Sequence, residues 1–204
     1  MGDSLTGTRE VIFDKAIEII SSVSFENMSM KVLAKAAGIK TASIYNHFPS
    51  KQDILDRIYD YYCDHMFDNR LPIEQSKRII ETGGREDIYR TIMYNFVTED
   101  GKKYKRMVLT TKIVLMRIFN DMRANHIFFE LNCRESALYV KELLEYGVSI
   151  GRIESFDIDT YTNFLIGMIS FMGVKAFTQP NYIIGQLEEE TRIGKMLMDI
   201  IPLK

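Results

Sequence analysis

Ser29-Met-Lys-Val-Leu-Ala-Lys-Ala-Ala-Gly-Ile-Lys-Thr-Ala-Ser-Ile-Tyr-Asn-His-Phe-Pro-Ser-Lys51 reads as two short helices joined by a tight turn. Ser29 is a good N-cap, because its hydroxyl can accept from the free N–H groups of the first turn. Met30, Leu33, Ala34 and Ala37 then fall at i, i+3, i+4 and i+7, one apolar face of a short helix. Gly38 is the stop signal, since glycine takes the left-handed conformation after a helix without strain. A second helix is expected from Lys40 or Thr41 to His47, with Ile44 and Phe48 inward and Ala42, Tyr45 and Asn46 on the opposite side. Pro49 cannot continue it, and Ser50 caps the next helix.

This pattern is a helix-turn-helix with Thr41–His47 as the recognition helix. Its outward side suits DNA. Asn46 can pair with an adenine edge, Thr41 can bond a base or a phosphate, and the Tyr45 ring can lie along the sugar-phosphate wall. Residues 28–52 hold Lys31, Lys35, Lys40 and Lys51 and no Asp or Glu, so this surface is positive. The candidate DNA-contacting residues are Ser29, Lys31, Lys40, Thr41, Ala42, Tyr45, Asn46, His47 and Lys51. The competing reading of the pattern is an ordinary helical hairpin with a solvated face.

The wording of the stretch separates the two. Ser29-x-x-x-Leu33-Ala34-x-x-Ala37-Gly38-Ile39, followed by Ser43-Ile44-Tyr45-Asn46-His47-Phe48-x-Ser50-Lys51-x-x-Ile54-Leu55, closely resembles the N-terminal signature of the tetracycline-repressor (TetR) family. The resemblance covers about residues 8–56; beyond that it is architectural. Lys40 departs from the usual Ser or Thr cap, and Ser24 stands where Gly often ends the first helix. The resemblance implies a DNA-binding domain at 1–50 and a ligand-binding and dimerisation domain at 51–204, joined by the helix that starts near 51. It further implies a homodimer bound to a palindromic double-stranded DNA operator, and a small-molecule effector held in the middle of the chain.

Two hundred and four residues suffice for one or two domains with a real core. The chain is 46% hydrophobic and 26% charged, as in ordinary globular proteins. Formal net charge is −2, so any contact with DNA must be local. Cys63 and Cys133 are the two cysteines and form no C-x-x-C, which fits buried thiols in a reducing cytoplasm. Met1–Thr8 is polar, unlike a signal peptide, and no apolar run reaches the length of a membrane span. A cytoplasmic protein without membrane association is expected.

The rest of the chain reads as helix throughout, so the fold class is all-α with nine or ten helices. Helix one is expected from Thr8 to about Ser22, and helix four from Ser50 through Ile54, Leu55, Ile58, Tyr61, Tyr62 and Met66. Leu71-Pro72 breaks the chain. Short helices are expected at 74–81 and 85–97, then a long one at 102–122. The polar side of that helix carries Lys102, Lys103, Lys105, Arg106, Lys112, Arg117 and Arg123, and reads as a solvated face rather than a second basic patch. Further helices are expected at 126–149, from Asp157 or Asp159 to Phe177, and at 186–201. Apolar side chains nearly encircle the 160–177 helix, which predicts burial on all sides. In a chain of this size a second copy is the simplest cover. Phe164, Met168, Phe171, Met172, Ile193, Met196, Leu197 and Ile200 are therefore the candidate dimer interface, with Gly167 and Gly173 permitting close approach.

Tyr62, Met66, Phe67, Tyr89, Met93, Tyr94, Met116, Phe119, Phe128 and Phe129 are the candidate effector pocket, apolar with tyrosine hydroxyls. Singly, each is more simply core. An apolar or amphipathic ligand fits that lining. Gly147-Val148-Ser149-Ile150-Gly151 matches a nucleophile elbow, but it ends a helix where an elbow follows a strand, and no histidine follows it. His47, His65 and His126 show no ligand spacing, so neither a metal nor a cofactor is expected. Two other readings stand beside the regulator: a small-molecule sequestering protein with a vestigial DNA module, and a hydrolase using Ser149.

Overall fold

A computed structural model describes residues 5–68, 70–93, 101–178, 196–197 and 199–204, without the side chains of 93, 172, 173 and 175–178. Tyr94, Ile193, the side chains of Met93 and Met172, and most of the helix expected at 186–201 lie outside the described residues. Ten α-helices are described: α1 (Gly7–Val23), α2 (Met30–Ala37), α3 (Thr41–Tyr45), α4 (Lys51–His65), α5 (Ile73–Thr82), α6 (Arg85–Met93), α7 (Gly101–Arg117), α8 (Met122–His126), α9 (Glu135–Ser149) and α10 (Ile158–Thr178). A π-helical segment, Ile127–Arg134, joins α8 to α9. An isolated antiparallel bridge between Ile153 and Leu203 is the one β-type pairing among the described residues. The class is all-α.

The packing forms two compact units, one holding α1–α4, α7 and α8, the other α5, α6, α9 and α10 with the C-terminal residues. The boundary expected at 50/51 does not follow this division, because α4 packs with α1 and α7 and buries Ile54, Leu55 and Ile58 completely. Helix α7, which sequence places in the other half, also belongs to the first unit. The core of that unit takes Ile12, Phe13, Ala16 and Ile20 from α1, Leu33 from α2, Ile44 and Phe48 from the recognition segment, and Ile113 and Val114 from α7. The core of the second unit gathers Ile80, Ile88, Leu143, Leu144, Ile153, Leu165 and Ile201. Gly147 is required there: a Cβ would sit 2.4 Å from Ile153 Cδ1.

Two expectations are corrected. The long helix at 102–122 stops at Arg117, because Asp121 caps a new helix by accepting from the Arg123 and Ala124 N–H groups. Phe119 and Met122 fall at this break and are 87% and 91% exposed, so they line no apolar helix face. The helix expected from 126 starts at Met122 instead and passes through the π segment before α9. Within the single chain α10 is covered on one side: Tyr161, Thr162 and Leu165 are buried, while Phe164, Phe171 and Val174 are exposed. Asp157 rather than Asp159 starts it, accepting from Thr160 N at 3.0 Å; Asp159 instead pairs with Lys141.

Candidate nucleic-acid interface

The helix-turn-helix is held by local bonds that the sequence specifies. Ser29 Oγ accepts from Val32 N at 3.2 Å, closing the first turn of α2. Gly38 sits at φ 69°, the left-handed C-cap, and its N–H reaches back to Ala34 and Lys35 carbonyls. Helix α3 has no side-chain cap, as Lys40 implies, and is shorter than expected: Asn46 is its C-cap and His47 follows it. Phe48 N donates to Ile44 O at 2.8 Å, which seats Phe48 in the core beside Ile44. Ser50 Oγ then accepts from Asp53 N and starts α4.

These bonds leave one face outward. Lys31, Lys35, Lys40, Ala42, Tyr45 and Asn46 are exposed, and Thr41 and His47 are half-buried. Tyr45 is 48% exposed while Ile44 beside it is fully buried. Ser29 is exposed but serves as a cap, so its hydroxyl hydrogen alone is free to donate. Lys51 is engaged: its ammonium donates to Glu26 O at 3.1 Å and lies 4.4 Å from the Phe25 ring centre. Two of its three N–H groups remain for a phosphate.

The same unit contains an ionic framework that the sequence reading missed. Much of the basic side of α7, read as solvated, is paired. Arg106 donates to Asp14 Oδ1 and to Glu10 Oε1 at 2.6 Å each, Lys105 to Glu18 at 2.6 Å, and Lys102 to Glu10 at 2.8 Å. Burial opposes the charge on Arg106, yet Asp14 and Glu10 outweigh it and push its pKa up. The signal was present: Glu10, Asp14 and Glu18 recur every four residues on α1, and Lys102, Lys105 and Arg106 fall at i, i+3 and i+4.

A second cluster braces the turn before α2. Arg117 donates to Glu26 Oε1 at 2.6 Å, to Tyr59 Oη at 3.0 Å and to Asp121 Oδ2 at 3.2 Å, and lies 4.8 Å from the Phe25 ring centre. Tyr59 donates to Asp121 at 2.9 Å. Phe25 thus has Lys51 and Arg117 on its ring. Its neighbour Ser24 takes φ 75°, the left-handed region where glycine is usual, so the turn out of α1 is strained. The Glu26 carboxyl is held below its ordinary range by its own backbone N–H and by Arg117.

The effector-pocket candidates are dispersed. Tyr62, Met66 and Phe128 are buried in the first unit. Met116 is 44% exposed and lines a small cleft with Ile20, Phe25, Ile113 and Arg117. In the second unit Tyr89 is buried in the core, Phe67 is half-buried and Phe129 is 45% exposed. Of the interface candidates, Met196 and Ile200 are exposed, Phe164 and Phe171 likewise, and Met168 is half-buried. Leu197 is 1% exposed and its carbonyl accepts from the buried Tyr161 hydroxyl, so it belongs to the protomer core. Ser149 closes the end of α9 by donating to Tyr146 O at 2.7 Å, the role of a helix terminus and not of a nucleophile.

Residues 12–58 match the family described as bacterial regulatory proteins, tetR family. A curated relative is the biofilm operon icaADBC HTH-type negative transcriptional regulator IcaR of Staphylococcus aureus, 26% identical over 99 residues, which are 48% of this chain and 50% of that protein. The chain thus spans about half the length of the curated relatives it matches. Among solved structures, the ketosteroid transcriptional regulator KstR2 of Mycobacterium tuberculosis superposes with a TM-score of 0.67 at 17% identity, covering 98% of each chain. The TetR family transcriptional regulator PfmR of Thermus thermophilus gives 0.64 at 17% identity, over 92% of this chain and 97% of that one. These likenesses carry the fold across both units. Family match over residues 12–58, fold and the outward basic face of the helix-turn-helix agree on a helix-turn-helix of the tetR kind in the N-terminal part of the chain.

Proposed function

We propose that the protein is a homodimeric transcriptional repressor, working in the cytoplasm, that binds a palindromic operator and is released by a small apolar or amphipathic ligand. The observation that carries this reading is the outward face of α2 and α3. Lys31, Lys35, Lys40, Ala42, Tyr45 and Asn46 are exposed there on a framework of locked caps, and residues 28–52 contain no acidic side chain. Such a face supplies phosphate contacts from the lysines and base-edge contacts from Tyr45 and Asn46. The relative IcaR is named as a negative regulator of an operon, which supports repression over activation.

The dimer rests on the apolar side chains that α10 and the C-terminal residues leave exposed, Phe164, Phe171, Val174, Met196 and Ile200. Exposed apolar side chains of this kind mark an interaction site. Release rests on α4, which starts beside the recognition segment at Lys51 and ends at His65, two residues before the chain enters the second unit at Phe67. Selection from a random-sequence DNA duplex library tests the reading. A palindrome with half-sites about one helical turn apart, near 34–36 Å, is expected. A single half-site, or no enrichment, overturns it.

A further inference from the structure

Arg70 differs from three other guanidinium groups that are drawn into this protein. Arg106, Arg117 and Arg123 each hold carboxylates. Arg70 is half-buried in the segment that leads into α5, and among the described residues it forms no ion pair. Its guanidinium carbon lies 3.7 Å from the Phe67 ring centre and 4.7 Å from that of Tyr139. Nη2 donates to Ser136 Oγ at 3.0 Å. Nε is buried and has no partner among the described residues. Burial pulls its pKa down, and the fields of Tyr139 and Glu135 offset this only in part. The Tyr139 hydroxyl is already committed, to Leu71 O at 3.1 Å and to Ser76 Oγ at 2.6 Å, so it cannot answer the cation.

All these groups lie in the second unit. A half-desolvated cation without a bonded counter-charge is costly, and a chain that needed only packing there would be served by an apolar side chain of similar volume. The two aromatic faces fix the guanidinium plane, and Ser136 fixes its rotation about that plane. What remains is an oriented edge whose Nη1 is uncommitted among the described residues, the arrangement that receives a carboxylate.

We infer that Arg70, set by Phe67, Tyr139 and Ser136, is the anion-binding group of an effector site, and that the effector is an amphipathic carboxylate. This rests on the reading of the protein as a ligand-released regulator and narrows the ligand class: the carboxylate takes the open edge of Arg70, and the apolar part meets what Phe67 leaves exposed.

The test uses the full chain with octanoate, dodecanoate and naphthoate, each beside its uncharged alcohol. Binding is measured by calorimetry and by the rise in melting temperature. At least one carboxylate should bind more than about tenfold tighter than its alcohol, as a charge-assisted bond in a partly dry site requires. Arg70→Met should remove that preference while the ligand-free melting temperature holds. Arg70→Lys, which keeps the charge but not the fork, should restore it in part. Carboxylates that bind no better than their alcohols, or a preference that survives in Arg70→Met, overturn the inference. If Arg70→Met does not fold, Ser136→Ala and Arg70→Lys decide: an unchanged preference in both overturns it as well. Failure here is separable from failure of the regulator reading, because operator selection by the ligand-free protein does not involve Arg70. An operator without a carboxylate preference sinks this inference alone; a carboxylate preference without an operator sinks the other.

Discussion

Tyr45 and Asn46 sit one and two positions past a fully buried residue, Ile44, on a helix of about a turn and a half. That proximity makes them clean probes. Truncating either removes outward atoms and leaves the Ile44–Phe48 packing alone. Tyr45→Ala or Asn46→Ala should weaken binding to the selected operator by about 1–3 kcal/mol and leave the melting temperature nearly unchanged. Equal operator affinity in mutant and parent would remove them from the reading face. Lys51 acts differently, because its ammonium is anchored to Glu26 O and has two N–H groups to spare. Lys51→Ala should weaken binding on every sequence alike and lower the salt slope by about one; a changed sequence preference would contradict a phosphate role. These residues were legible because their reasons are local. A cap at Ser29, a left-handed Gly38 and an apolar spacing of three and four all lie within one stretch of chain. Arg70 was not legible, since Ser136 and Tyr139 meet it from more than sixty positions away.

At the scale of elements, α7 is where reading the chain fell furthest short. Its apolar spacing located the helix, but its basic side was read as solvated because the partner stripe belongs to α1, some ninety residues earlier. The break at Arg117 was missed for a related reason: Asp121 stops α7 only because it can cap α8 while bonding Tyr59 and Arg117. The pairing has a functional side. Glu10, Asp14 and Glu18 are three carboxylates on the DNA-binding unit, and α7 neutralises them. Arg106→Met should lower stability by about 1–3 kcal/mol, since Arg106 is largely buried and its bonds are charge-assisted. It should also lower operator affinity at low salt, because uncovered carboxylates repel phosphate. Unchanged affinity at low salt would show that the stripe lies too far from the DNA to matter. Asp121 gives a prediction in pH. Burial raises its pKa, but the Ala124 N–H, the Tyr59 hydroxyl and Arg117 outweigh burial, and the net shift is below the ordinary 3.8. A depressed carboxyl stabilises the fold fully above its unfolded value and loses that contribution as pH falls through the folded one. Asp121→Ala should therefore cost about 1–3 kcal/mol near neutral pH, from the lost cap and the orphaned Arg117, and the gap from the parent should close below about pH 4. A gap independent of pH down to acid unfolding would mean the carboxylate charge is not what matters.

At the scale of the molecule, the net charge of −2 and the basic recognition face set opposing terms. One recognition segment offers few phosphate contacts, so a single copy binds DNA weakly. Two copies held together make the second half-site contact intramolecular, which raises overall affinity by about 10²–10⁴ without any new contact, as expected for linked sites. The proposed dimer is thus a requirement of the weak single face as well as a consequence of the exposed apolar side of α10. Phe171 tests it most sharply. It is 62% exposed in the protomer, so a charge there disturbs no core, unlike a change at Leu165, which is fully buried. Phe171→Glu should leave helical content and the unfolding transition of the protomer intact at low concentration. In sedimentation it should run as a monomer where the parent runs as a dimer. Its affinity for the full palindrome should fall by about 10²-fold or more, to the level at which the parent binds an isolated half-site. A Phe171→Glu protein that remains dimeric would place the partner elsewhere than on this face of α10. One that is monomeric yet binds the palindrome as tightly as the parent would show that a single recognition face suffices, and the two-fold operator would lose its reason.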